Sequence, residues 1–596
     1  MRPFWRNFWA SSLAMFITGT LLILVFVIIL FTVLGSVFDA KPFSYEENSV
    51  LLIEFEDPIS EKSYSSLNTS SFSVDQGMGI REIKIALEAA KEDDKIKGIL
   101  LNIENMPAGM ASTEEIRNAL ADFKSSKKFI IAYSENYSQK GYYLSSVADE
   151  VYLYPEGMVE FRGLGAELMF FKGMIDKLGV DVQIIRGSNN KFKSAVEPFM
   201  LEEISNANRE QTMTYISAMW SHMLKGIAES RKLTVAELNT MADSVYVRNG
   251  KTSKQYKLVD DLIYEDQLTE ILQGKLGIGS TEEVEMVNFK KYVRFQTKIH
   301  DNAIEKDSEN IAVIYAVGSI ESGKGNDNTM GSETIAKAIR EARLDKNIKA
   351  IVLRVNSPGG SALASDVMWR EVMLAKKAKP FIVSMGDVAA SGGYYIACAA
   401  DRIFAQPNTI TGSIGVFGVI PNFGPMLKDK IGVTTSRVET NEHALITLTQ
   451  ALTEDERLII QQGVDEIYLD FITKVSQGRG KLSVGEVDSI GQGRVWSGTD
   501  ALKIGLVDEL GGIDAAIRYA AEMAKIKTEN VVIKVSPKSD DKFAEIMEAF
   551  GGDDEDDNDN EESLLRIKML EMVAIVERIS SMKGVQARIP YEIIIE

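Results

Sequence analysis

Ser391 sits in the run Gly386-Asp387-Val388-Ala389-Ala390-Ser391-Gly392-Gly393, behind an apolar stretch and ahead of a segment with helical spacing. A serine at a strand-to-helix turn exposes its hydroxyl beside the positive end of the helix, which favours negative charge developing during acyl transfer. The small neighbours Ala390, Gly392 and Gly393 let a substrate backbone approach closely. The same pattern also suits a plain helix N-cap. Upstream, Asn356-Ser357-Pro358-Gly359-Gly360-Ser361 ends another apolar run. Its turn can aim backbone N–H groups into the same crevice, as an oxyanion hole requires. It can equally be a tight turn chosen for its dihedral angles.

A serine hydroxyl is a weak nucleophile and needs an adjacent base. The chain has three histidines, His222, His300 and His443, and of these only His443 lies near the later elements around Ser391. It sits in Glu439-Thr440-Asn441-Glu442-His443, which also reads as an exposed loop, and no acid is placed to orient it. Lysine is the other candidate, provided that burial lowers its pKa enough to leave it neutral near pH 7. Most lysines are surface charges, so nothing local singles one out. A single cysteine, Cys398, excludes intrachain disulfides and multi-cysteine metal sites. No metal and no cofactor is expected. The net charge of −20 argues against a nucleic-acid partner, because nothing here would neutralise a run of phosphates.

The elements that must position these groups come in two copies. Tyr142-Tyr143 with Asp149 in the first half matches Tyr394-Tyr395 with Asp401 in the second, at an offset of 252 residues. Asn105-Met106-Pro107-Ala108-Gly109 matches Asn356-Ser357-Pro358-Gly359-Gly360, and Leu258-Val259-Asp260 matches Leu506-Val507-Asp508. Three matches in one order indicate a duplicated domain. The position of Ser391 is held by Gln139 in the first copy, so the scaffold does not require serine there. In the second copy, strands are expected at 311–317, 350–355 and 381–385. Helices are expected after Ser332 as a cap, at 364–377, and from Ser391 to 399. The first copy repeats this with 51–55, 80–90, 99–103, 112–123 and 129–133. Such alternation means a parallel sheet covered by helices.

At 596 residues, with 45% hydrophobic and 26% charged, the chain has ordinary globular composition and room for about four units of roughly 150 residues, or fewer larger ones. No charge occurs from 8 to 38, and 13–34 is almost wholly apolar. That is long enough for a membrane-spanning helix, which needs about 20 residues, and longer than the apolar core of a cleaved signal peptide. Arg2 and Arg6 ahead of it direct the N-terminus to the cytoplasm and the remainder outside, while Trp5 and Trp9 suit the interfacial belt. The copies are expected to join around the polar stretch 292–310. A run of acids and asparagines at 553–562 reads as a solvated linker, followed by helical periodicity at 564–579 and a last strand at 591–595.

Lys191-Phe192-Lys193-Ser194-Ala195-Val196-Glu197-Pro198-Phe199 closely resembles the lysine motif of the signal peptide peptidase A (protease IV) family. Ala389-Ala390-Ser391-Gly392-Gly393-Tyr394-Tyr395 resembles its serine motif. The likeness spans nearly the whole chain, including the anchor and the duplication of the long form. It implies an α/β protein of tandem duplicated Clp-protease/crotonase-like domains with an N-terminal transmembrane helix. The parts would be an anchor at 1–38, a first repeat with the base lysine at 39–300, a second with the serine at 301–545, and an acidic linker with a C-terminal segment at 546–596. The resemblance further implies Ser391 as nucleophile, Lys193 as general base and Ser413, in Thr411-Gly412-Ser413-Ile414-Gly415, as the serine that helps position the lysine. Gly359, Gly360 and Gly392 would form the oxyanion hole. It implies a single-pass inner-membrane endopeptidase facing the periplasmic side, a homotetramer that degrades remnant signal peptides and other apolar peptides. The segment after Ser563 matches no feature of the family.

The residues agree with a split site. One copy holds a serine without a base, and the other holds a candidate base with glutamine in place of serine. An acyl-CoA enzyme on the same fold is disfavoured by an extracytoplasmic location. A non-enzymatic membrane scaffold is disfavoured by the retention of Ser391, Ser413 and Lys193 together.

Overall fold

The computed structural model describes residues 43–68, 73–302, 310–326, 329–527, 531–537 and 585–588, with isolated positions before residue 43. Most of the expected anchor, and the expected acidic linker, helix at 564–579 and strand at 591–595, lie outside the described residues. Among those described, no helix is long and apolar enough to cross a membrane.

Each repeat is built on a parallel sheet of the same strand order. In the first, Asp261–Leu262, Glu150–Leu153, Phe129–Ser134, Ile96–Leu101, Ser49–Ile53 and Met286–Asn288 lie side by side. In the second the matching strands are Glu509–Leu510, Arg402–Ala405, Phe381–Ala390, Ile348–Ser357, Asn310–Val317 and Val532–Ser536, and this eight-stranded sheet adds Ile410–Gly412 beside the end of Phe381–Ala390 and Val495–Ser497 antiparallel beyond it. The strands are near-continuous runs of Val, Ile and Leu because helices cover both faces, so residues of either parity are buried. Helices Ile80–Glu92 and Met110–Phe123 cover the first sheet, and Ser332–Leu344 and Ala362–Lys376 are their counterparts on the second.

Three features depart from the sequence reading. Ser332 is the first helical residue rather than the cap. Gly331 takes the cap position, and no side chain closes that end. The polar join begins late: Phe289–Asn302 is a helix that buries Phe289, Tyr292 and Val293 against the first repeat. A third, mixed sheet was not foreseen. It runs Gly325–Asn326, Thr329–Gly331, Ser319–Glu321, Gly359–Ser361, Val585–Arg588, Phe417–Asn422 and Asp181–Arg186. At its far edge, Asp181–Arg186 of the first repeat pairs antiparallel with Phe417–Asn422 of the second along its whole length.

The repeats also meet through buried charge. Arg354, fully buried in the second repeat, lies 2.8 Å from Glu61 and 2.8 Å from Glu115, both from the first. Burial alone would raise the Glu115 carboxyl, but Arg354 and Lys84 outweigh it and hold it at about 2. Asp387 of the second repeat accepts from the backbone N–H groups of Ala111 (2.8 Å) and Ser112 (3.0 Å) at the start of Met110–Phe123, and from the Ser112 hydroxyl. It thus caps a helix of the other repeat, where a carboxylate also complements the helix dipole.

Candidate active site

Lys193 belongs to the first repeat in sequence but is fastened to the second. After strand Asp181–Arg186, the Ser188 N–H and hydroxyl donate to Asp465 (2.6 and 2.7 Å), Asn190 Nδ2 donates to the Val416 carbonyl (2.7 Å), and Phe192 N–H donates to the Gln492 carbonyl (2.9 Å). Gly493, at φ +78°, lies so close that a Cβ there would stand 2.4 Å from the Lys193 Cβ. Behind the lysine, Gln211 of helix Asn206–Arg231 donates to the Phe192 carbonyl (3.0 Å) and to Ser194 Oγ (2.9 Å). Its Oε1 accepts from Val495 N–H of the second repeat at 3.2 Å. Ala195 and Val196 pack with Phe417 and Val419. Phe199 instead stacks on Phe171 of its own repeat, with ring centres 6.3 Å apart.

Ser391 ends strand Phe381–Ala390 and precedes helix Gly392–Ala397. It occupies the N-cap position, yet its side chain makes no capping bond. Its backbone is held at φ 56°, ψ −112°, a conformation unfavourable for a residue with a Cβ, and its N–H donates to the Gly412 carbonyl at 2.8 Å. The strained turn aims the hydroxyl at the lysine: Lys193 Nζ lies 2.7 Å from Ser391 Oγ. Nζ also lies 2.9 Å from both the carbonyl and the hydroxyl oxygen of Ser413. Ser413 itself adopts φ 49°, and its N–H donates to the Arg494 carbonyl at 2.7 Å.

These contacts fit a neutral amine. A neutral amine can donate two N–H groups to the Ser413 oxygens and keep a lone pair to accept from Ser391 Oγ at 2.7 Å, in place of that hydroxyl's long 3.4 Å contact to the Gly415 carbonyl. Lys193 is only 1% exposed, and burial pushes its amine well below the usual 10.5, with no carboxylate to restore the charge. A buried, uncharged amine within hydrogen-bond reach of a hydroxyl is what proton abstraction from a serine needs.

The glycine turn lies beside the serine. A Cβ on Gly393 would come within 2.8 Å of the Ser357 carbonyl, so only glycine lets the two segments pack. Gly359 adopts φ +95°, and its N–H donates to Ser357 Oγ at 3.2 Å. Gly360 lies against Ile320, whose carbonyl a Cβ would meet at 2.1 Å. Gly359–Ser361 is therefore a short strand as well as a turn. Gly392 opens the helix after Ser391.

The equivalent place in the first repeat is plugged. Gln139 Oε1 accepts from the N–H groups of Arg162 (2.7 Å) and Gly163 (2.8 Å), and its Nε2 donates to the Gly163 carbonyl at 2.9 Å. None of the histidines joins the site: His443 is in an exposed loop, His222 lies 3.1 Å from Glu114, and His300 contacts Asp301. Gln211, Gly493 and the capping Asp387 were not singled out from the sequence. Asp387 stood in the run just ahead of the serine motif, but nothing local signals that its partner is a distant helix.

The model of peptidase family S49 matches residues 122–279 and 373–527, one match in each repeat, and the model of the Clp protease matches 305–411. Protease 4 of Salmonella typhi is 39% identical over 455 residues, spanning 75% of this chain and 72% of the relative. Protease 4 of Haemophilus influenzae is 37% identical over 461 residues, spanning 76% and 74%. The chloroplastic serine protease SPPA of Arabidopsis thaliana is 33% identical over 498 residues, spanning 82% and 71%. A duplicated Clp-protease-like α/β scaffold with a serine beside a lysine defines a serine peptidase. The chain belongs to peptidase family S49.

Proposed function

We propose that this serine peptidase is a membrane-anchored endopeptidase that cuts apolar peptides, cleaved signal peptides among them, with Ser391 as nucleophile and Lys193 as general base. The observation that carries the assignment is the 2.7 Å approach of Lys193 Nζ to Ser391 Oγ across the two repeats. Ser391 Oγ attacks the scissile carbonyl while Nζ takes its proton, and Nζ returns that proton to the leaving amine. A water deprotonated by the same amine then hydrolyses the acyl-enzyme. Ser413 orients Nζ through its two oxygens. Backbone N–H groups of the turn at Gly359 and Gly360 and of Gly392 stabilise the oxyanion, for which the Gly359 N–H must leave Ser357 Oγ. The apolar run 13–34 anchors the chain with its catalytic repeats on the extracytoplasmic, periplasmic side of the inner membrane. Ile431, Val433, Val438, Ile446 and Leu448 are exposed along one stretch of chain, which supports burial of that stretch between copies of a homotetramer.

With detergent-solubilised protein and a fluorogenic apolar peptide, Ser391→Ala and Lys193→Ala each abolish hydrolysis, while His443→Ala leaves it nearly intact. Normal turnover by either of the first two variants rejects the dyad. Light scattering that finds only monomer rejects the assembly.

A further inference from the structure

The helix Phe289–Asn302 is basic on its outer side. Between Phe289 and His300 it carries Lys290, Lys291, Arg294 and Lys298 and no acid, in a chain whose net charge is −20. Phe289, Tyr292 and Val293 are buried against the first repeat, whereas Lys291, Arg294 and Lys298 follow one another at three and four residues on the exposed side. The helix's one acid, Asp301, is paired with Arg81 at 2.9 Å. Phe295, flanked on the helix surface by Lys291 and Lys298, packs on Phe43 and Tyr45, with ring centres 5.3 and 6.4 Å apart. Tyr45 also packs on Tyr292 at 5.6 Å, and its hydroxyl donates to Asp93 at 2.5 Å.

Three residues further on, the surface is basic again. An open cavity of about 620 Å³ beside Asn48 is lined by Lys97, Lys124, Lys127, Lys128 and Lys275. Lys124 and Lys275 are paired with Asp149 and Glu150, at 2.8 and 2.7 Å. Lys97 instead donates to the Asp94 carbonyl (2.8 Å), and Lys128 to those of Ala90 (2.7 Å) and Asp93 (2.6 Å). Bonds to neutral carbonyls leave the positive charge in place. Phe43 lies five residues beyond Phe38, the last residue of the uncharged run, and five residues span at most about 18 Å. A bilayer held by that run therefore stays within reach of the helix clamped on Phe43. Each lysine near an anionic membrane surface strengthens attachment by about fivefold.

We propose that this basic surface, Lys291 and Lys298 on the helix together with Lys97, Lys127 and Lys128 at the cavity, docks on the phosphates of anionic phospholipid headgroups and fixes the first repeat against the membrane. The choice of a bilayer as partner rests on the membrane-anchored reading of 13–34.

The test uses the full-length chain with a fluorophore on Ile299→Cys, since Ile299 is 48% exposed and the native Cys398 is buried. The protein is reconstituted into vesicles of phosphatidylcholine alone, or with about one third phosphatidylglycerol, each carrying a headgroup-linked quencher. Quenching is stronger by about twofold or more in the anionic vesicles. Salt at about 1 M, where the Debye length is about 3 Å, returns it to the neutral-lipid level. The combined exposed-site variant Lys97→Gln, Lys127→Gln, Lys291→Gln and Lys298→Gln does the same with an unchanged Tm. Equal quenching in both lipids, or its release by inorganic phosphate at constant ionic strength, overturns the headgroup site. Flotation of the unlabelled parent with neutral vesicles reports the anchor separately. A chain that floats with anionic vesicles alone keeps the headgroup site and removes the anchor, and one that floats with neither removes both.

Discussion

In the proposed dyad the lysine is held in the form its chemistry needs at the expense of the fold. The folded state binds fewer protons at Lys193 than the unfolded state does between its lowered pKa and 10.5, so stability rises with pH across that window and is least below it. Lys193→Met keeps a chain of similar length and removes the titration. We expect it to be inactive, with an apparent Tm at pH 7 raised by about 2 °C or more, an advantage that fades as pH approaches 10.5. Thermal scans at one fixed rate and several pH values check this, and a variant less stable than the parent at pH 7 contradicts it. The same ionisation governs rate with the opposite requirement. Hydrolysis climbs with pH as Nζ loses its proton and levels off well below the free-lysine value. A profile that keeps climbing towards pH 10.5 means that the amine is not desolvated in the working enzyme.

At the scale of elements, the lysine loop is only as exact as its braces. Gln211 grips the residues on both sides of Lys193 and reaches the second repeat through Val495. It touches neither reacting atom. Gln211→Ala should lower kcat by about tenfold, since small misplacements of a catalytic group are expensive. KM and the pH at which activity rises should stay fixed, and Gln211→Glu should not recover the rate, because a carboxylate cannot donate to the Phe192 carbonyl. A shift of that pH instead means that the helix controls desolvation of the amine rather than its position. The parallel sheets were legible in the sequence because their strands, such as Ile96–Leu101 and Ile348–Ser357, are long apolar runs between helical patterns. The mixed sheet was not, because its strands are short, several contain glycine, and they pair across large sequence distances. Gly359–Ser361 read as a turn for that reason. Lys193 was recognisable only by its resemblance to a motif. What sets it apart from other lysines is burial, and burial arises when Asp181–Arg186 pairs with Phe417–Asn422. Ser391 was legible in place, but the choice between cap and nucleophile lay in its backbone angles.

At the scale of the whole molecule, the proposed dyad is divided between two scaffolds, so whatever fixes the repeats against each other also fixes Nζ against Oγ. Arg354 is central to that contact, because it joins strand Ile348–Ser357, next to the serine's own strand, to Glu61 and Glu115 of the first repeat. A buried ion cluster is weak evidence for net stability, yet removing one member leaves the others unpaired at a cost of about 3–5 kcal/mol. In Arg354→Met, Glu61 loses its guanidinium partner and keeps only neutral donors such as the Asn356 amide, while Glu115 keeps Lys84 and the Ile513 N–H. The variant should unfold at lower temperature, and its residual folded fraction should hydrolyse peptide more slowly than the parent, since Nζ and Oγ are carried on opposite sides of the loosened contact. Adding Glu61→Gln and Glu115→Gln to the same chain removes the unpaired charges and should recover most of the lost Tm. If the interface needs the ion cluster for register as well as for charge balance, the triple variant regains stability without regaining rate. Full recovery of both assigns registration to the strand pair Asp181–Arg186 and Phe417–Asn422 and to the Asp387 cap.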